Sequence, residues 1–355
     1  MKYDTFTSAI LVLGKEKYVS MESKLNSKVH KTREEWIDLL RALAMFLVIV
    51  GHVYENNTFY QFINPIKMPL FYFLSGIFIG LNKDFGTFIK GLIHRLVVPW
   101  IVFSLFPFYA IRYAIGGDWD KTFSYIKGFF LGQSHWFITS FIVTNILCYA
   151  LFHALRKNEV LVLVAGLGCF SLGILLKDVP IMSIWTMDTA LTGVLFAMLG
   201  KFFYNNRSVI MEKYVSNRWI FLASLLVYGF LVAVSVIFYP GQTMDFHKTE
   251  YYNPVLCLIL IFTGIFCCIY ISTRLKSNRL TKIIATMGQN TLVVYLFNGI
   301  VVAQFAKVFH RIGLGSDGFS LLESIIISVF ACAICTVVSV VCGKYCPILI
   351  GKNKK

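Results

Sequence analysis

Residues 33–55 read REEWIDLLRALAMFLVIVGHVYE. An almost unbroken apolar run lies between Arg41 and His52, long enough for a membrane-crossing helix. Its polar residues are the ones a lipid-facing helix would not keep. A helix turns about 100° and rises about 1.5 Å per residue. The steps from Arg41 to His52 therefore return the chain to within about 20° of its starting direction, about 16 Å further on. The two basic groups share a face. Asp38, three residues before Arg41, is placed to pair with it, and Glu55, three residues after His52, is placed to orient the imidazole. A charge inside a bilayer costs at least a few kcal/mol, so such groups turn toward a bundle interior or a watery cavity. The plain alternative is a structural Asp38–Arg41 pair with an interfacial histidine. All of these groups on one stripe favour a site.

Composition extends the reading to the whole chain. Of 355 residues, 57% are hydrophobic and only 14% charged, a balance that soluble domains rarely reach. Apolar runs of membrane-spanning length recur. The formal charge of +15 is a matter of loop placement here, not a sign of nucleic-acid binding. Nearly all of the cysteines lie in apolar runs. Cys332, Cys335, Cys342 and Cys346 fall on one helical stripe but spread over about 21 Å, too far for one tetrahedral zinc site.

Residues 1–32 read as a mobile, polar cytoplasmic tail without a signal-peptide core, and Met21 is a candidate start. Ten spans follow, at about 35–54, 65–81, 93–115, 136–155, 159–176, 187–204, 218–239, 254–273, 289–309 and 322–346. The fold class is thus all-α: one polytopic bundle over 33–349, closed by a basic tail at 350–355. Loop charge alternates along it. The first tail is lysine-rich, whereas 55–64 has no Lys or Arg; Lys83 and Lys90 mark the second loop; Lys201, Arg207, Lys213 and Arg218 crowd the sixth; Arg274, Lys276, Arg279 and Lys282 fill the eighth. By the positive-inside rule both termini are cytoplasmic. Arg41 then lies toward the cytoplasm and His52 toward the outer face. The longest outer loops, 116–135 and 240–253, are long enough to order a polar ligand.

Other polar groups fall at the level of His52: Ser134, His135 and Trp136 at the outer start of span four, and Trp185, Thr186 and Asp188 at that of span six. Interfacial tryptophans need no functional reason; Asp188, inside a first turn, stands out more. On the cytoplasmic side Lys90, His94 and Arg95 precede Pro99 and Trp100. Beside Arg41 they suit an anion-binding mouth, arginine being well matched to phosphate. Asn298 follows Tyr295 about midway through span nine. The sequence has no P-loop, GxSxG, HExxH or dinucleotide fingerprint, which argues against nucleotide hydrolysis, serine hydrolysis and zinc chemistry. A basic inner mouth and a distant histidine suit a reaction joining a phosphorylated cytoplasmic donor to an outer acceptor.

The segment WIDLLRALAMFLVIVGH, with Arg41 and His52 separated by ten residues, resembles the first-helix signature of the membrane acyltransferase-3 family. MPLFYFLSG (68–76), HRLVVPW (94–100), HWFITSF (135–141) and GQNTLVVYLFN (288–298) are similar to its later motifs, in order. Two departures stand out. Position 92 is Leu where the family has a second basic residue, leaving Lys90 or His94 as substitutes beside Arg95; and Asn298 occupies a position that is often His. The resemblance implies a bacterial inner-membrane enzyme that moves an acyl group, usually acetyl, from cytoplasmic acyl-CoA to a sugar hydroxyl of a cell-surface polysaccharide or its lipid-linked precursor. On it, His52 is the general base, assisted by Glu55. Arg41, Arg95, Lys90 and His94 hold the donor, and His135, Trp136, Asp188, Tyr295 and Asn298 meet the acceptor. Acyl-CoA enters as a co-substrate, and no permanent cofactor or metal is implied. The alternative is a transporter or flippase for a glycan or lipid-linked sugar, with Arg41 and His52 as an ion relay. The acceptor sugar, the acyl group, an acyl-enzyme route and the oligomeric state all stay open at this level.

Overall fold

The computed structural model describes residues 34–105, 116–133, 135–315 and 318–351. The expected tail 1–32, residues 106–115 of the third span, Ser134 and the terminal residues 352–355 lie outside the described residues. Among the described residues the regular structure is helical, and an isolated antiparallel bridge joins Asp245 to Glu250. Nine of these helices are long and apolar enough to cross a membrane. The chain is an all-α, multi-pass membrane protein.

The quoted stretch forms α1, Glu35–Val53. Next comes α2, Asn57–Phe78, which begins eight residues before the expected span because Asn56 caps it, accepting from the Phe59 N–H at 3.0 Å. With Gln61, Asn64, Pro65, Lys67 and Pro69 along it, α2 is too polar to count among the nine. Protein covers it instead: Ile63, Leu70, Tyr72 and Leu74 are fully buried. The third span is α3, Phe85–Leu92, a π turn over Ile93–Val97, and α4, Val98–Leu105. The wide turn has a local cause. Pro99 offers no N–H and its ring crowds the preceding turn, and the Val98 N–H reaches back five residues to the Ile93 carbonyl. The bulge re-aims the side chains of its own turn, His94 and Arg95 among them.

Beyond residue 115, α5 is Trp119–Phe130, where the sequence suggested only a loop. Asp118 caps it, and it buries Thr122 and Phe129 while Trp119, Phe123 and Phe130 stay exposed. The rest follows in order: α6 Trp136–Ala154, α7 Glu159–Leu176, α8 Met187–Asn205, α9 Arg218–Phe238, α10 Pro254–Arg274, α11 Arg279–Gly288, α12 Thr291–Arg311 and α13 Leu321–Tyr345. The short α11 was another expected loop; a capping box between Asn278 and Thr281 starts it.

The centre of the bundle is α2 against α8, where the two backbones touch. A Cβ on Gly76 would lie 1.7 Å from the Ala197 carbonyl oxygen, and one on Gly200 would lie 1.8 Å from that of Phe73. Small residues allow such approach where there is no water to drive helices together. The loop 240–253 is folded into the bundle. Met244, Phe246 and Thr249 are buried. From α2, the Gln61 amide donates to the carbonyls of Tyr239 (3.0 Å) and Gln242 (2.7 Å), and Asn64 donates to that of Met244 (2.7 Å). Two of the polar residues that lower the hydropathy of α2, Gln61 and Asn64, hold this loop.

Candidate functional site

Arg41 sits on α1 within one helical turn of Asp38. The carboxylate is 2% exposed, and a buried charge of this kind needs partners. It has them: the Arg41 guanidinium at 3.8 Å and the Gln289 amide, which donates at 3.1 Å. Gln289 reaches Asp38 because Gly288 before it lies flat on the α1 backbone; a Cβ there would fall 1.8 Å from the Asp38 carbonyl oxygen. The Gly-Gln pair of the 288–298 motif is therefore a clamp on α1. The guanidinium also lies 4.0 Å from the centre of the Phe78 ring, a cation–π contact.

Arg41 lines a first cavity of about 300 Å³, together with Lys83, Arg95 and Gln289. Three cations thus share one opening. Of the expected donor-binding residues, Arg41 and Arg95 come together there. Lys90 is exposed and outside the lining, and His94 turns away, its Nε2 buried without a partner. Lys83 lines the same opening. Its side chain is exposed, in the tight turn before the Asp84 cap of α3, and sequence alone gave no reason to prefer it to other loop lysines. Past the cations the lining is apolar: Met45, Phe71, Phe137, Ile138, Phe141 and Tyr295.

A second cavity of about 200 Å³ holds His52, Tyr125, His135, Tyr295 and Asn298, walled by Phe103 and Phe297. The His52 ring is exposed toward it. His135 begins α6 from a left-handed conformation (φ 55°) with its Nδ1 2.9 Å from the Ser104 hydroxyl oxygen. The Ser104 carbonyl in turn accepts from the Tyr125 hydroxyl at 2.8 Å. Burial pushes the His135 imidazole below its ordinary range, so it is neutral at pH 7. Asn298 is buried, and its amide donates back to the Tyr295 carbonyl at 2.5 Å. α5 supplies Tyr125, which sequence reasoning missed because its helix was read as a loop.

Three expected residues stand elsewhere. Helix α1 ends at Val53, so Glu55 is not stacked one turn beyond His52; it is exposed, and no ion pair joins the two among the described residues. Asp188 is buried and accepts from the Thr249 hydroxyl at 3.0 Å. Trp136 stacks on His247, ring centres 4.3 Å apart. Both hold the 240–253 loop, and neither lines the second cavity. The structure also adds Lys67. Half-buried in α2, it places its amine 5.5 Å from the Tyr60 ring centre and 3.1 Å from where a Gly51 Cβ would stand, beside His52. A lysine inside an expected span was a sufficient signal for it.

The two cavities meet at Tyr295, which lines both. Its ring centre lies 5.3 Å from that of Phe137 and 6.1 Å from that of His135. Among the described residues no group of three or more His, Cys, Asp or Glu is placed to hold a metal ion.

No curated protein and no solved structure matches the chain significantly. The acyltransferase-3 family model, described as an acyltransferase domain, matches residues 34–344, which runs from the start of α1 to the end of α13. The chain belongs to the acyltransferase-3 family and is a multi-pass membrane acyltransferase.

Proposed function

We propose that the protein moves an acyl group, acetyl first among them, from cytoplasmic acyl-CoA to a sugar hydroxyl of a cell-surface polysaccharide or its lipid-linked precursor, in a bacterial inner membrane. The observation that carries this reading is the pairing of two cavities along one face of α1. One is rimmed by Arg41, Lys83 and Arg95, the other holds His52, and Tyr295 stands between them. The positive-inside rule, applied to the loop charges, supports a cytoplasmic Arg41 end. Guanidinium groups bind phosphate oxygens with charge-assisted, often bidentate, hydrogen bonds, so the three cations take the phosphates of CoA. The apolar stretch past them takes the pantetheine arm and thioester. The arm is comparable in length to the separation of about 16 Å between Arg41 and His52.

A sugar hydroxyl is a poor nucleophile at neutral pH, and a positioned base is worth about 10²–10⁴ in rate. His52 takes the hydroxyl proton as the oxygen attacks the thioester carbonyl carbon. The C–O bond forms, the C–S bond breaks, the electron pair leaves on sulfur, and the proton passes on to the thiolate. Neutral His135 and the Tyr125 hydroxyl offer hydrogen bonds to the acceptor sugar. Radiolabelled acetyl-CoA added to inverted membrane vesicles tests the reading: label enters the glycan. Glycan movement without any transferred label would support transport instead.

A further inference from the structure

We infer that Tyr295 is the partition between donor and acceptor, and that its ring sets the size of the acyl group that crosses; this rests on the acyl-transfer reading above. The first cavity reaches along α1 from Arg41 to Met45, one turn. From Met45 to His52 there remain about 10 Å of helical rise. Among the described residues no other lines both cavities. The ring has Phe137 and His135 at its edges, and the hydroxyl sits against the backbone of Phe137 in the first turn of α6. Tyr295 is half-buried although its neighbours Val294 and Leu296 are buried, as expected of a side chain with space on two sides.

The helix that carries it is shallowly set. The buried residues of α12 are Val293, Val294, Leu296 and Asn298, all within two turns. Ring rotation about the Cα–Cβ bond moves the partition without moving α1, α2 or α8.

Two consequences follow. With the ring closed, water in the second cavity is kept from the thioester, so CoA release without acceptor is slow. The acyl tail lies against Met45, Phe71, Phe137 and Tyr295, so each added methylene presses on aromatic walls, and crossing selects for a short acyl group. Removing the phenol opens both restraints. Water can then attack the same carbonyl, giving free carboxylic acid and CoA thiol, with the proton passing through His52 as before.

The test uses inverted vesicles from the native host carrying the full-length chain, given radiolabelled acetyl-CoA or butyryl-CoA. Label in the glycan fraction and CoA thiol released are both read. In Tyr295→Ala the butyryl-to-acetyl incorporation ratio rises by about tenfold or more, since a methylene is worth that in a fitted pocket, and CoA release outpaces glycan labelling. Tyr295→Phe keeps the ring and stays near the wild-type ratio. Tyr295→Leu, which keeps apolar bulk, gives an intermediate ratio and stands in if the alanine variant does not accumulate. An unchanged ratio and unchanged CoA release in the alanine and leucine variants would overturn the inference. So would a folded alanine variant inactive with both donors, or a phenylalanine variant that behaves like alanine. If the wild type transfers no label from either donor, the acyl-transfer reading itself fails.

Discussion

The α1–α2–α8 wall and the α12 wall enclose the same site but are built differently. In the most apolar stretch of α1, 67% of residues are buried, and in that of the segment containing α8, 61%; for α12 the share is 22%. The first wall has backbones in contact at Gly76 and Gly200, and Asp38 clamps it to Gly288 and Gln289 just before α12. The second buries side chains along two turns only, and beyond them Phe305 stacks on Phe330 of α13. Arg41 and His52 are on the more deeply buried wall; Tyr295 and Asn298 are on the shallower one. Chemical groups on a deeply buried wall opposite a shallowly set side chain suit a protein that must join two substrates while keeping water from one of them.

The largest expected effects fall on the more deeply buried wall. Asp38→Ala strips the carboxylate from a clamp that holds Arg41 and Gln289, and breaking a buried pair costs about 3–5 kcal/mol; a detergent melt of the purified chain reads this as an early unfolding transition. Gly200→Ala drives a methyl group into the Phe73 carbonyl, an overpacking cost of about 3 kcal/mol visible in the same melt. On the other wall a Cβ at Gly299 meets nothing within 4 Å, so Gly299→Ala, in a helix interior, stabilises the chain in that melt by about 0.5–1 kcal/mol. Equal effects at Gly200 and Gly299 would erase the contrast.

The 240–253 loop lies between these extremes. Thr249→Val leaves the buried Asp188 carboxylate without that donor, costing about 1–3 kcal/mol, and limited proteolysis at the loop reads the loss. The loop is also pH-sensitive. Burial, the largest influence on His247, lowers its pKa and outweighs the pull of Asp245 and Asp188 in the other direction; Lys248 adds to the lowering. His135 shifts the same way. A histidine whose folded pKa lies below its unfolded value binds fewer protons folded than unfolded. Its contribution is therefore lost as pH falls through about 6.5. Protection of the loop weakens from pH 7 to pH 5.5, and replacing both histidines by Asn flattens that dependence.

Much of this was legible in one dimension. The spacing of Asp38, Arg41 and His52 follows from helical geometry, and it survives because α1 is straight, apolar and capped by no early break. Glu55 failed for the same reason: helical spacing says nothing past the residue where the helix stops. Asp188 and Trp136 were read at the level of His52, but their partners Thr249 and His247 are about sixty and more than a hundred residues away in sequence, and only the folded loop brings them in. Lys83 did not stand out from other loop lysines, because only the folded turn before α3 brings it to the cavity that Arg41 lines. The helices α5 and α11 were missed because a span search sees length and hydropathy, and both are short and amphipathic.

The most direct test of the account is the rate of glycan acetylation by His52→Ala beside wild type, in inverted vesicles saturated with radiolabelled acetyl-CoA. The account predicts a fall of about 10²–10⁴, with CoA still bound through Arg41, Lys83 and Arg95. Acetylation at the wild-type rate would contradict it.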